Sequence, residues 1–394
     1  MAVSLPIYLD NHSTTRVDPR VVEAMLPYFT ENYGNAASKH HEFGWKAEAA
    51  VEHARASIAR LISADSKEIV FTSGATESIN LALKGIAEEQ GPGRNHIVTA
   101  VTEHRAVLDT CEKLERSGFE ITCLPVDGAG RVDPDDVKKA ITAKTILVSI
   151  MAANSEIGTI APIGEIGSLC REAGIVFHTD ATQAVGKIPV NVSEWNVDLM
   201  SFSAHKMYGP KGVGALYVRS ARPKLRLASQ MDGGGHEHGL RSGTLNVPAI
   251  VGFGMAATLA EREMVQDGTL LSTLRDKLEA EITSQLGDIG VNGDVNSRLP
   301  HNSNIIFRGV PADRLIMDMK DIAVSTGSAC SSASPEPSHV LRAIGISHED
   351  VLSSIRFGLG RFTTGEEIEY TINKVTQAVR MIRERSLQLV HSIP

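Results

Sequence analysis

"VDLMSFSAHKMYGPKGVGALYV", residues 197–218, holds two apolar, β-rich runs joined by a polar turn. "VDLMSFS" (197–203) and "VGALYV" (213–218) are too short for helices and are bounded by glycine and Gly-Pro punctuation, so both read as strands. Working towards the N-terminus, the same kind of run recurs: "GIVFHTD" (174–180), "TILVSIM" (145–151), "FEITCLPV" (119–126), "HIVTAV" (96–101) and "EIVFT" (68–72). Helix-like segments such as "ATESINLALKGIAEEQ" and "EHRAVLDTCEKLERSG" separate the early ones. Strand and helix in alternation predict an α/β domain whose seven-stranded, mostly parallel sheet is covered by helices on both faces.

The flanks are of a different kind. Residues 18–63 are predicted to be helical throughout, and "AEAAVEHARASIARLI" carries an apolar stripe at helical spacing. A glycine-rich stretch, "GGGHEHGLRSGT" (233–244), precedes a long helical tract from about residue 247 to 287. Beyond it, short strands ("NSNIIFRG", "DIAVST", "SIRFGLG") mix with helices in an α+β pattern. The chain therefore divides into a large domain, residues 16–260, and a smaller α+β domain made of residues 1–15 and 261–394.

At 394 residues the chain exceeds one ordinary core. Its 42% apolar and 22% charged residues and its net charge of -8 are those of a soluble protein without broad affinity for nucleic acid or anionic membrane. No apolar run reaches bilayer-spanning length, and the N-terminus lacks the basic start and apolar core of a secretory signal. Cys111, Cys123, Cys170 and Cys330 are widely spaced, which argues against a disulfide framework or zinc site and for a reducing compartment. A cytoplasmic location is expected. The first three cysteines lie in helix or strand patterns and read as inert core thiols. Cys330, in "STGSACSSASPEPSH" (325–339), stands instead in a loop of small residues and prolines.

Ligands of α/β sheets bind beyond the carboxyl ends of the strands, and here those ends carry polar residues. "FTSGATES" offers Ala75 and Thr76 at a helix start, either as an anion cradle or as a plain N-cap. "HTDATQAVG" supplies Asp180 and Gln183. "SFSAHK" supplies Ser203, His205 and Lys206; a lysine in a site that excludes water can act as nucleophile and base. Lys211, in the turn, is the weaker candidate. An anion cradle, a strand-end acid, a hydroxyl, an imidazole and a lysine are together the equipment for pyridoxal phosphate. His104 and His178 each admit the plainer reading of a satisfied, partly buried histidine. "HEH" (236–238) has no further ligands near it in sequence, so no metal site is expected.

With "TEHRAVLD", "GGGHEHGLRSGT", "STGSACSSASPEPSHVLRA" and "SSIRFGLGRFT" added in this order, nearly the whole chain resembles the group I, IscS/NifS-type cysteine desulfurases. These are fold-type I pyridoxal-phosphate enzymes of aminotransferase class V. The resemblance implies that Lys206 holds the cofactor covalently and then shuttles the substrate α-proton. It implies that Asp180 faces the pyridine nitrogen, Gln183 the ring oxygen, and that His104 stacks on the ring. Ala75, Thr76, Ser203 and His205 would bind the phosphate, and Thr244 would reach the phosphate of a neighbouring subunit, hence a homodimer. Arg356 would pair with the substrate carboxylate, and Cys330 would take sulfur from L-cysteine as a persulfide, leaving L-alanine. A sulfur-acceptor protein such as an iron–sulfur scaffold is the expected partner.

Three departures stand out. Relatives commonly have two asparagines where this chain has Asn154 and Ser155, so a cofactor and substrate contact is lost, bridged by water or taken over by Asn154. Ala204 replaces a common glycine. The resemblance implies that longer relatives dock the scaffold by a C-terminal tail, which is not expected here after "RERSLQLVHSIP", and this leaves the acceptor open. Rival readings are another aminotransferase or lyase of the fold, a selenocysteine-directed enzyme, and a non-catalytic sulfur relay; Lys206 opposes the last and "STGSAC" the first.

Overall fold

The computed structural model describes residues 3–91, 93–220, 225–326 and 337–391. After a short strand, β1 (Ile7–Tyr8), seven strands build the main sheet: β2 (Ile69–Thr72), β3 (His96–Ala100), β4 (Glu120–Leu124), β5 (Thr145–Ser149), β6 (Val176–Asp180), β7 (Leu199–Ser203) and β8 (Gly214–Val218). They are the seven runs expected from sequence. Their order is β2-β8-β7-β6-β5-β3-β4; β8 runs antiparallel to both neighbours and the other pairings are parallel.

The helices that precede and flank this sheet are α1 (Pro19–Met25), α2 (Pro27–Thr30), α3 (Glu42–Leu61), α4 (Ala75–Glu88), α5 (Arg105–Glu115), α6 (Pro134–Ala140) and α7 (Ile163–Ala173). The long α8 (Val247–Gln285) follows. Side chains alternate across a strand, so each strand feeds two cores. Val70, Ile97, Leu147, Leu199 and Leu216 pack with α4 and α5, while Phe71, Val98, Val148, Phe177 and Met200 pack with α3, α7 and the start of α8.

A second, three-stranded antiparallel sheet places β10 (Asn302–Phe307) between β9 (Ile289–Val291) and β12 (Ser354–Gly358), and β1 pairs with β11 (Ile322–Ala323). Its core joins Ile305, Phe307, Ile355 and Phe357 to α8 and to α12 (Gly365–His391). The helix α8 serves both regions: Ile250, Phe253 and Ala257 lie in the first core, and Leu271, Leu274, Leu278 and Ile282 in the second. The short helices α9 (Ala312–Asp318), α10 (His339–Ala343) and α11 (His348–Leu352) complete this part.

Two expectations need correction. Residues 18–63 are not helical throughout, because the chain between α2 and α3 is a loop. Gly34 there packs so closely that a Cβ would stand 2.0 Å from the Phe43 carbonyl oxygen, and the Asn35 side chain accepts the Ala37 N–H in a local turn. His41 then caps α3 by accepting the Gly44 N–H. Cys123 is not a core thiol either. It lies exposed on β4, the outermost strand of its sheet, whereas Cys111 and Cys170 are buried and burial pushes both thiols up to about 12.

Candidate active site

The carboxyl ends of β2, β3, β5, β6 and β7 open on one cavity of about 540 Å³. Ala75, Thr76, His104, Ser155, Asp180, Gln183, Ser203, His205 and Lys206 all line it. Residues from five separate sequence motifs thus converge because parallel strands deliver their ends to one side of the sheet.

The anion end is built at the start of α4. The backbone N–H groups of Ala75 and Thr76 find no acceptor among the described residues, as expected of a first helical turn. Gly214, where β8 begins, has no room for a Cβ, which would lie 2.6 Å from Gly74 Cα; the two strands therefore clamp this turn backbone to backbone. Glu77 also lines the cavity, accepts the Ser73 N–H at 2.7 Å and pairs with Arg241 at 2.8 Å. The glycine-rich stretch is tied to the same place from behind. Buried Glu237 pairs with buried Arg55 (2.7 and 2.8 Å) and accepts the Phe71 N–H.

At the centre, Lys206 Nζ donates to the carbonyls of His12 and Ser13, the latter at 2.7 Å. One Asp180 oxygen accepts the Thr182 N–H at 2.9 Å; Asp180 is buried and lines the cavity. The Thr182 hydroxyl, also lining it, is buried with no partner among the described residues. His104 caps α5 by accepting the Ala106 N–H at Nδ1, so its neutral ring carries the proton on Nε2. His205 reaches Thr14 at 3.1 Å, and burial with Lys206 and Lys211 nearby lowers its pKa to about 4. His178 lies outside the cavity, buried between Ser149 (2.8 Å) and Ser201 (2.9 Å), a satisfied core histidine.

Three expected residues stand elsewhere. Asn154 is buried and its amide folds the local turn, accepting from Glu156 N and Ile157 N and donating to Thr102 O. It is Ser155 that reaches the cavity. Arg356 is wholly buried one step back, donating to Ser155 O, Asp10 and Ser13, each at 2.9 Å. Thr244 is exposed, away from its own chain's cavity. Cys330 lies outside the described residues, but both flanks of its segment are anchored beside the site. Ser325 pairs with the Arg356 backbone, Ser338 donates to Glu156 at 2.5 Å, and His339 meets the Glu103 carbonyl at 3.0 Å.

Sequence reasoning missed Ser13, Thr14, Glu77 and Thr182 as cavity residues. "HSTT" carries no strand-end signal, and its approach to Lys206 depends on contacts across 190 residues or more. Among the described residues no three His, Cys, Asp or Glu side chains gather as metal ligands.

The site asks for an anionic group at a helix start, a basic ring atom opposite a carboxylate, and a carbonyl within reach of an amine. Pyridoxal phosphate has all three, and the open N–H groups and unpartnered Thr182 hydroxyl match its polar rim. The chain belongs to the aminotransferase class-V family, whose model matches residues 7–371. Among curated proteins it is 58% identical over 384 residues to "Cysteine desulfurase IscS" of Anaeromyxobacter dehalogenans, covering 98% of this chain and 95% of that one. It is 53% identical to the protein of the same description from Rickettsia typhi, over 98% and 93% of the two chains. Among solved structures, a NifS-like protein superimposes with a TM-score of 0.89 at 36% identity, covering 95% of this chain and all of that one. "SspA in complex with cysteine" gives 0.80 at 36% identity, over 91% and 100%.

Proposed function

We propose that the chain is a pyridoxal-phosphate-dependent cysteine desulfurase, the reading carried by the convergence of Lys206, Asp180 and the Ala75–Thr76 turn on one cavity. The net reaction takes L-cysteine and one enzyme thiol to L-alanine and one enzyme persulfide. The C–S bond of the substrate breaks, an S–S bond forms on Cys330, and two protons end on the new methyl group and the persulfide or solvent.

The N–H groups of Ala75 and Thr76, with Ser203 and His205, would hold the phosphate, and Asp180 would face the pyridine nitrogen. Bound there, the cofactor supplies an electron sink for the bond-breaking at the substrate's α-carbon. The Lys206 amine takes and returns the α-proton, and the carbonyls of His12 and Ser13, to which it donates, help to aim it. His104 has its Nε2–H to give near the substrate thiol. Arg356 would bind the substrate carboxylate once the Ser13 hydroxyl swings off its guanidinium; its Nε has no partner among the described residues. Cys330 would be the sulfur acceptor, a role resting on its motif and on the anchored flanks of its segment.

Sulfur then passes to acceptor proteins, of which an iron–sulfur scaffold is the proposed one. A homodimer is also proposed: Thr244 is exposed and does not line its own chain's cavity, and Leu26, Phe29, Tyr33, Phe43 and Trp45 form an exposed apolar set on the α1–α3 segment. The division near residue 260 into two domains fits the way α8 passes from one core to the other. No helix of the described residues is long and apolar enough to cross a membrane, and a cytoplasmic setting is proposed. The test is whether purified holoenzyme releases alanine and sulfide from L-cysteine in equal amounts with a thiol reductant; alanine without sulfide, or neither, sinks the reading.

A further inference from the structure

A buried histidine behind the cavity fixes the polarity of the site. His12 is fully buried, and its ring stacks on that of His301 (centroids 4.3 Å apart). Its Nε2 lies 3.0 Å from Asn302 Nδ2, which also donates to the Glu156 carbonyl at 3.2 Å. A carbonyl can only accept, so the Asn302 nitrogen must face it, and His12 Nε2 must accept in turn. The proton of the neutral ring is therefore on Nδ1, which lies 3.2 Å from Gln183 Oε1. Gln183 Nε2 donates one hydrogen to the His12 carbonyl at 3.1 Å. That leaves the second Nε2–H, and not the amide oxygen, for whatever occupies the cavity that Gln183 lines.

The chain of constraints starts at a backbone carbonyl and runs in one direction, so every amide and tautomer in it is determined. An imidazolium at position 12 would set a donor against the Asn302 donor. Burial keeps the ring neutral, and Arg356, Lys206 and Lys187 around it act in the same sense. The His12 carbonyl also takes the Lys206 amine, so one residue sets both groups.

We infer that His12 is a positioning residue that acts through Gln183, holding its amide so that an N–H is presented to the cofactor. The inference rests on the reading that Gln183 faces the cofactor's ring oxygen. A donated N–H favours the ionised form of that oxygen, so its loss raises the pH at which the bound cofactor ionises.

The experiment is a spectrophotometric pH titration of the cofactor-loaded full chain. His12→Phe keeps the stacked ring but can neither donate nor accept; the midpoint of the visible absorption should rise by about half to one pH unit, the worth of one hydrogen bond. His12→Ala, which leaves a gap rather than a misfit, carries the same test if His12→Phe does not fold. His12→Asn, whose amide offers a donor and an acceptor, should return the midpoint towards the native value. Gln183→Ala should raise it, and adding His12→Phe to Gln183→Ala should raise it no further. If Gln183→Ala leaves the midpoint unmoved, the reading of Gln183 fails. If Gln183→Ala moves it while the His12 variants do not, or the two shifts add, Gln183 keeps its role and the inference about His12 is overturned.

Discussion

Gly214→Ala tests whether the anion turn depends on a backbone-to-backbone clamp. A Cβ at this position would stand 2.6 Å from Gly74 Cα, 2.7 Å from Gly74 C and 2.8 Å from the Phe202 carbonyl oxygen. All three are main-chain atoms, so no side-chain rotation relieves the clash, and one methyl forced into a packed site costs about 1–3 kcal/mol. Strand propensity points the other way, since alanine is favoured over glycine in a strand by about 0.5–1 kcal/mol. Because the displaced atoms belong to the turn that presents Ala75 and Thr76, the cost should appear as weaker cofactor binding, about fivefold to a hundredfold. The assay is equilibrium titration of the apo full chain with pyridoxal phosphate, followed by protein fluorescence. Gly287→Ala, where a Cβ meets nothing within 4 Å, serves as the control and should bind as the native chain does. Unchanged affinity in Gly214→Ala would refute the clamp.

Glu237→Ala should destabilise the protein by about 3–5 kcal/mol in urea unfolding, because it strands the buried Arg55 charge; Arg55→Met together with Glu237→Leu should recover part of that loss. A single variant that costs under about 1 kcal/mol contradicts the pairing. Glu156 gives a pH dependence. Burial raises its pKa to about 7, against the lowering effects of Ser338 and Arg356, so the folded state holds this proton more tightly than the unfolded chain. Its contribution is fully present below the ordinary carboxylate range and is lost as pH rises through about 7. Glu156→Gln mimics the protonated form and should match the native protein in thermal melting at acid pH but exceed it above pH 7, by about 1–3 kcal/mol. Parallel melting curves for the two proteins would remove Glu156 as the cause.

Much of this architecture was legible from local pattern. The seven strands read correctly because each is a short apolar run with a glycine, proline or polar boundary, and their ends announced Asp180, Ser203 and Lys206. Helical periodicity alone misled at residues 31–41, where Gly34 and Asn35 impose a loop through contacts with Phe43 and Ala37. Cys123 was misplaced because an alternating strand does not disclose that it lies at the sheet edge. Asn154 drew attention by motif, yet its amide is engaged in its own turn, and its neighbour Ser155 faces the cavity. Ser13, Glu77 and His12 were silent in sequence since their importance comes from what a distant segment brings to them.

In the proposed reaction, sulfur from L-cysteine comes to rest on Cys330. Peptide mass spectrometry of the holoenzyme after incubation with L-cysteine, without reductant, reads this directly. One added sulfur is expected on the peptide carrying Cys330 and none on those carrying Cys111, Cys123 or Cys170, with loss of the adduct in Cys330→Ala. Sulfur on another cysteine, or undiminished desulfuration by Cys330→Ala, would contradict it.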